Sequence, residues 1–230
     1  MLEKCNRGLV IGHIGGSNCI GNGTAISPLL KPANVTYWRL GINTGTYPTL
    51  HGMVPGFTDE LVNVLGVSAP ITIVERGVNT TNLTTWIATH GPAFITDCAT
   101  AGVTPNIIVH DFGAGDAQTG ADLNKADDDQ DTLYALFRGT FGGGCGIFLP
   151  QLTVVYDAVT YVYAGGAGQP GNGYGIWDEQ REYCQRRPQL SGWCDTRDLP
   201  TSDTIHRTGP AQDLLGRRIA RTLYNAGVLG

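Results

Sequence analysis

Charged side chains are scarce in this sequence: Asp, Glu, Lys and Arg make up 15% of its 230 residues, with a net charge of −5 and no basic cluster. That excludes the electrostatic footprint of a nucleic-acid binder. No apolar stretch approaches the roughly 20 residues of a membrane-spanning helix. The N-terminal Met1-Leu-Glu-Lys-Cys-Asn-Arg7 lacks the apolar core of a signal peptide, so nothing in it announces export and the compartment stays open, extracellular and virion-associated locations included. The cysteines contain no Cys-x-x-Cys pair, which argues against a zinc site.

What is present suits one domain, residues 1–230, with a full-sized core: hydrophobic residues are 41% of the chain. With so few charges the surface must be rich in Gly, Thr, Asn and Ser. The 33 glycines show no collagen period and imply tight turns and long loops. Six cysteines allow 15 fully paired connectivities, so the count alone settles no pairing. Cys184 and Cys194 flank a short loop containing Pro and Gly and are the candidate disulfide. Cys19 reads as a small buried hydrophobe.

Runs of β-branched and apolar residues predict strands at Arg7–Ile14, Val35–Leu40, Ile71–Glu75, Asn106–His110 and Gly146–Tyr156. Gly41–Gly56 reads as loop, followed by a short helix capped by Thr58 or Asp59. A helix beginning near Asn82 is expected to end at Gly91-Pro92, with a second over Ala93–Ala101. A longer helix is expected over Ala121–Arg138, its Asp127–Asp131 face solvated. A Gly-rich insertion occupies about residues 157–202, with Ile176–Arg187 a helical candidate. Leu214, Leu215, Ile219, Ala220 and Leu223 then mark an amphipathic closing helix over Gly209–Ala226. Buried-type strands alternating with helices predict a parallel sheet covered on both faces, a doubly wound three-layer α/β/α sandwich.

The first strand ends abruptly at Gly15-Gly16, and Ser17-Asn18 follow. In open α/β folds that carboxyl edge is where chemistry is done. A serine nucleophile needs a base to take its proton and a carboxylate to orient that base. Asp203-Thr-Ile-His206 supplies both, three residues apart, just before the closing helix. Several other residues invite over-reading. His13 reads as a core or edge histidine, and His110-Asp111 as structural because no third metal ligand is evident. His51 and His90 lie in loop-like surroundings. Asp116 reads as a holder of its own loop. Trp86 reads as core, whereas Tyr163, Tyr174, Trp177 and Trp193 could be core or could stack on sugar rings.

The joint order of three segments resembles the SGNH/GDSL hydrolases, most nearly the sialate O-acetylesterase-like carbohydrate esterases. Val10-Ile-Gly-His-Ile-Gly-Gly-Ser-Asn-Cys-Ile-Gly21 is similar to their first block, with Gly16 where the family has Gln or Asp. Asn106-Ile-Ile-Val-His-Asp-Phe-Gly-Ala-Gly-Asp-Ala117 is similar to the third, with Gly115 in place of an Asn. Ser202-Asp-Thr-Ile-His-Arg-Thr-Gly-Pro-Ala211 is similar to the fifth. The resemblance implies a flavodoxin-like parallel sheet and a serine esterase that removes O-acetyl groups from a carbohydrate without cofactor or metal. It implies Ser17 as nucleophile, His206 as base and Asp203 as its orienting acid. The oxyanion would be met by the Ser17 N–H, by the second block near Gly77 (Asn79 or Thr80 being the alternatives), and by the loop at Gly115. The expected partner is an acetylated carbohydrate or other small ester, with no nucleic acid and no membrane span; the oligomeric state stays open. Two rival readings follow from the same residues: an esterase or lipase for longer acyl chains, or a catalytically weakened carbohydrate-binding or structural module.

Overall fold

A computed structural model describes residues 8–16, 19, 31–40, 45–46, 50–79, 81–111, 123–150, 181–186, 191–196, 198–200 and 206–227. Their centre is strand β1 (Leu9–Gly15), buried along nearly its whole length and bonded on both sides. Such two-sided burial explains why it reads as a continuous apolar run and not as an alternating one. The sheet has seven strands in the order β3-β2-β4-β1-β5-β6-β7: β2 (Val35–Arg39), β3 (Gly45–Thr46), β4 (Ile71–Gly77), β5 (Ile107–Asp111), β6 (Gly146–Pro150) and β7 (Ser191–Cys194). All pairings are parallel except that of β3 with β2. Counting β1, β4, β5, β6 and β7 as one to five, their order is 2-1-3-4-5, the flavodoxin-like winding. The last of them lies at the end of the span expected to be an insertion.

Two cores cover the sheet. On one face Leu9, Ile11, Ile71, Ile73 and Val109 pack under α1 (Val54–Asp59) and the closing helix. On the other, Ile14, Val74 and Ile108 pack under α3 (Gly91–Thr100) and α4 (Leu123–Phe141), where Trp86, Phe94 and Phe137 meet edge-on or tilted at 5.7–6.3 Å. Trp86 is thus core. The closing helix, α5 (Gly209–Asn225), buries Ala211, Leu215, Ile219, Ala220 and Leu223, while Leu214 is 41% exposed. Thr208 caps it by accepting the Ala211 N–H at 3.3 Å.

Four expectations need correction. The loop expected over Gly41–Gly56 yields at its end to α1, which starts at Val54 with Pro55 in its first turn and runs on as a π-helical turn, Glu60–Val64. Gly56 belongs not to a turn but to a helix crossing: a Cβ there would lie 2.0 Å from the Asp213 carbonyl oxygen, and one at Gly216 the same distance from that of Met53. Gly91-Pro92 does not end its helix. The α2 turn (Leu83–Thr85) passes through a π-helical turn, Trp86–His90, straight into α3. The Gly91 N–H reaches back five residues to Trp86, and Pro92, with no N–H to give, starts the next α-helical register. His90 is accordingly helical. The acidic face of α4 is only partly solvated, since Asp131 accepts the Tyr183 hydroxyl at 3.0 Å and Asp129 that of Thr84.

The fourth correction concerns the disulfide. Cys184 and Cys194 are both free thiols. Residues 181–186 are helical on the α3–α4 face, where Cys184 and Trp193 pack, whereas Cys194, next along β7, packs on the α5 face. The sheet therefore separates the two sulfurs, and the Cys184 thiol instead points to the Gly192 carbonyl oxygen at 3.4 Å.

Two outcomes are expected. Gly216→Ala forces the α1 and α5 backbones apart and should lower stability by about 3 kcal/mol, a fall in melting temperature of roughly 6–12 °C in a chain of this size, read by differential scanning calorimetry. Cys19, Cys98, Cys145, Cys184 and Cys194 should all resist a thiol reagent in the native protein and all react in denaturant without reductant; a Cys184–Cys194 peptide pair surviving non-reducing digestion would contradict the assignment.

Candidate functional site

The registers β1–β4 and β1–β5 set three strand ends level at the carboxyl edge, with Gly15 opposite Gly77 on one side and opposite Asp111 on the other. In a 2-1-3-4-5 sheet the connections diverge between β1 and β5, leaving the crevice in which open α/β proteins place their ligands. Here the first motif leaves the sheet. The Gly16 N–H donates to the Asp111 carbonyl at 3.2 Å, Val78 N–H donates to Gly15 at 2.9 Å, and Cys19 N–H returns to Gly16 at 3.1 Å.

The two glycines before Ser17 have different physical reasons. A Cβ on Gly15 would stand 2.5 Å from the Asp111 carbonyl oxygen and 2.8 Å from the Cys19 Cβ, so only glycine lets the ends of β1 and β5 approach. At Gly16 the nearest atom among the described residues is the Val78 carbonyl oxygen at 4.0 Å. Nothing among the described residues therefore crowds a side chain at Gly16.

The fifth-block loop reaches the same edge through Arg207. Its side chain is fully buried, and Nη1 donates to both oxygens of Asp111, at 2.8 and 3.1 Å. His206, one residue earlier, is half-buried and has an interacting partner. Asp111 thus bonds one motif through its main chain and the other through its side chain. His110 cannot share in this: it alternates with Asp111 along β5 and its side chain lies on the opposite face. The sequence reading of His110-Asp111 as structural agrees, but it missed the partner. The signal was a charged residue beside His206, followed at once by a helix cap.

Ser17, Asp203 and Gly115 lie outside the described residues, as do Thr80, Asp116, Tyr163, Tyr174 and Trp177. Gly77 is buried at the end of β4, whereas Asn79, two residues on, is exposed. Trp193 is partly buried against the α3–α4 core.

Below the edge lies a second polar group that sequence reasoning did not assemble. Glu75 is buried in β4; its carboxylate accepts the Tyr37 hydroxyl at 2.8 Å and Arg39 Nε at 3.1 Å. Burial, reinforced by Glu75, holds the Tyr37 phenol far above its usual range. His51 is held below the imidazole range by partial burial and then by Arg39, so it borders this group rather than a featureless loop. His13 is fully buried, with Nδ1 3.4 Å from a Glu75 oxygen but outside hydrogen-bond geometry, so it is a core histidine whose nitrogens have no hydrogen-bond partner among the described residues.

His13, Cys19 and Glu75 hold their potential ligand atoms within 4.8 Å of one another, the one such cluster among the described residues. The donor set does not favour a metal. Both Glu75 oxygens are engaged by Tyr37 and Arg39, and the buried Cys19 thiol, which lies 3.7 Å from the His13 carbonyl oxygen, is pushed well above its usual pKa by desolvation and then by Glu75 and Asp111. A metal needs the thiolate that these surroundings disfavour.

The sequence matches no family model and no curated protein. The fold, in contrast, recurs in solved structures. A carbohydrate acetylesterase from Xanthomonas citri superposes with a TM-score of 0.71 at 13% identity, over 96% of this chain and 57% of that one. A lipase/acylhydrolase from Enterococcus faecalis gives 0.61 at 13% identity, over 95% and 96%. A carbohydrate acetylesterase family member from Sinorhizobium meliloti gives 0.61 at 13%, over 96% and 100%. The chain therefore has the α/β fold of the SGNH and GDSL-like hydrolase structures, as its sequence resemblance implied.

One consequence of the burial at this edge is measurable. Desolvation pushes His110 down to about 3 from 6.5, opposed only in part by Asp111. As pH falls through 6.5 the unfolded chain takes up a proton that the folded chain refuses. Stability from this group is complete above 6.5 and declines towards 3, by up to about 1.4 kcal/mol per pH unit. Urea unfolding of His110→Gln between pH 7 and 4 should therefore show a pH slope flatter than wild type by about that amount.

Proposed function

We propose that the protein is a single-domain serine esterase that removes O-acetyl groups from a carbohydrate. The observation carrying this reading is the convergence at Asp111: the residue before Ser17 and the residue after His206 both bond to it, at the crevice where this winding places ligands. In the reading, His206 takes the Ser17 proton as Oγ attacks the ester carbonyl, Asp203 orients the imidazole, and an acyl-enzyme forms that water then hydrolyses. The Ser17 N–H would meet the oxyanion, with a second donor from the end of β4 at Gly77 and the Gly115 loop alongside. A backbone donor serves with any side chain, so glycine at 115 removes only the side-chain contribution, worth on the order of 3–4 kcal/mol where a family member has it. This chemistry calls on no metal or cofactor. Acetylated sugars are favoured because two of the fold neighbours are described as carbohydrate acetylesterases. A third is described as a lipase/acylhydrolase, which keeps a longer-acyl esterase as the second reading.

Ser17→Ala should lower p-nitrophenyl acetate hydrolysis at least about a thousandfold with an unchanged melting temperature. Hydrolysis persisting in that variant would remove Ser17 as nucleophile. Rates that rise from acetate to octanoate would favour the longer-acyl reading, and absent turnover with no fluorophosphonate labelling of wild type would favour a binding module.

A further inference from the structure

Arg207 and Asp111 are 96 residues apart, and their pair is buried on both sides. A buried ion pair gains little stability over well-packed apolar residues, because both charges must first be stripped of water. What it adds over two leucines is a directed contact of fixed length. Here that contact lies between two short covalent tethers. Arg207 stands between His206 and Thr208, and the latter caps α5 and gives its own N–H to the Pro200 carbonyl at 3.0 Å. Asp111 closes β5 opposite Gly15, and its carbonyl takes the Gly16 N–H. The path from Ser17 to His206 is thus one peptide bond, one hydrogen bond, one residue, one ion pair and one peptide bond.

We propose that Asp111 and Arg207 are positioning residues of this site, a single buried ion pair that sets the exit of β1 and the His206 loop in fixed relation. Neither touches the substrate. The kinetic half of the test rests on the esterase reading, whereas the structural half does not. Misplacing a nucleophile and its base by about an ångström costs on the order of a hundredfold in rate.

The test compares wild type with the double variant Asp111→Leu/Arg207→Met, which removes both charges and leaves neither buried alone. Three quantities are read: kcat and KM on p-nitrophenyl acetate, melting temperature, and amide-resolved hydrogen exchange. The expected result is a folded protein whose kcat is ten- to a hundredfold lower with KM within about twofold. Exchange should be at least tenfold faster at Gly16 and across 206–208, and unchanged in the middle of β4. A folded double variant with wild-type kcat overturns the proposal, because the pair is then only packing. If wild type hydrolyses no ester, or Ser17→Ala keeps its rate, the esterase reading fails instead, and exchange alone decides: unchanged protection at Gly16 and 206–208 overturns the positioning role, and selective loss there supports it. Should the double variant fail to fold, Arg207→Lys, which leaves no charge buried alone but loses the planar guanidinium contact, is read in the same way.

Discussion

The candidate site depends on what happens at the end of β5. Asp111 is the last residue of a strand whose side chains alternate between two buried faces, and it is the one that turns towards α5. A carboxylate buried there loses most of its hydration, and a cation of its own offsets that cost. Arg207 supplies that cation from just before α5, with both oxygens bonded to one nitrogen. Removing either partner would strand the other charge in the core, a change that typically costs about 3–5 kcal/mol. The pair thereby makes the fold and the candidate site depend on one another.

That dependence extends outward through α5. The helix has to lie close to α1 for Arg207 to reach the sheet, and close approach is a matter of small residues. Gly56 and Gly216 bring the two backbones into direct contact, and Glu60, buried in the π-helical turn after α1, accepts Arg221 Nε at 2.6 Å. Glycine crossing and buried acid act together: the first permits the approach, the second directs it. On the opposite face the main restraint is apolar, with Trp86, Phe94 of α3 and Phe137 of α4 packed edge-on or tilted. The α1–α5 face thus adds buried charge pairs to its apolar core, and it holds the Asp111–Arg207 pair.

Much of this was legible in the residues. Every strand expected in the described part of the chain is present to within about two residues at its described ends, because a two-sided core demands an unbroken apolar run. The closing helix was legible from its apolar spacing. Three of the four errors share one cause, which is that glycine, proline and cysteine were interpreted locally. Gly56 looked like loop and serves a helix crossing. Gly91-Pro92 looked like a terminator and marks a change of helical register. Cys184 and Cys194 are close in sequence, yet a sheet lies between them. For Gly56 and the two cysteines a distant segment decides the role, and no window of neighbouring residues contains it.

The sequence by itself determined where the main parallel strands run, the place where β1 stops, and the residue types available at the two ends of the proposed site. These follow from periodicity and from steric limits that act over a few residues. Only the tertiary structure decided that Gly15 is obligatory, that Glu75 gathers Tyr37 and Arg39 beneath the edge, and that Asp111 belongs to Arg207. Those facts depend on strand register and helix approach, which bring together atoms tens of residues apart. A buried charge is the clearest instance, since its place can be occupied only when its partner arrives from elsewhere in the chain.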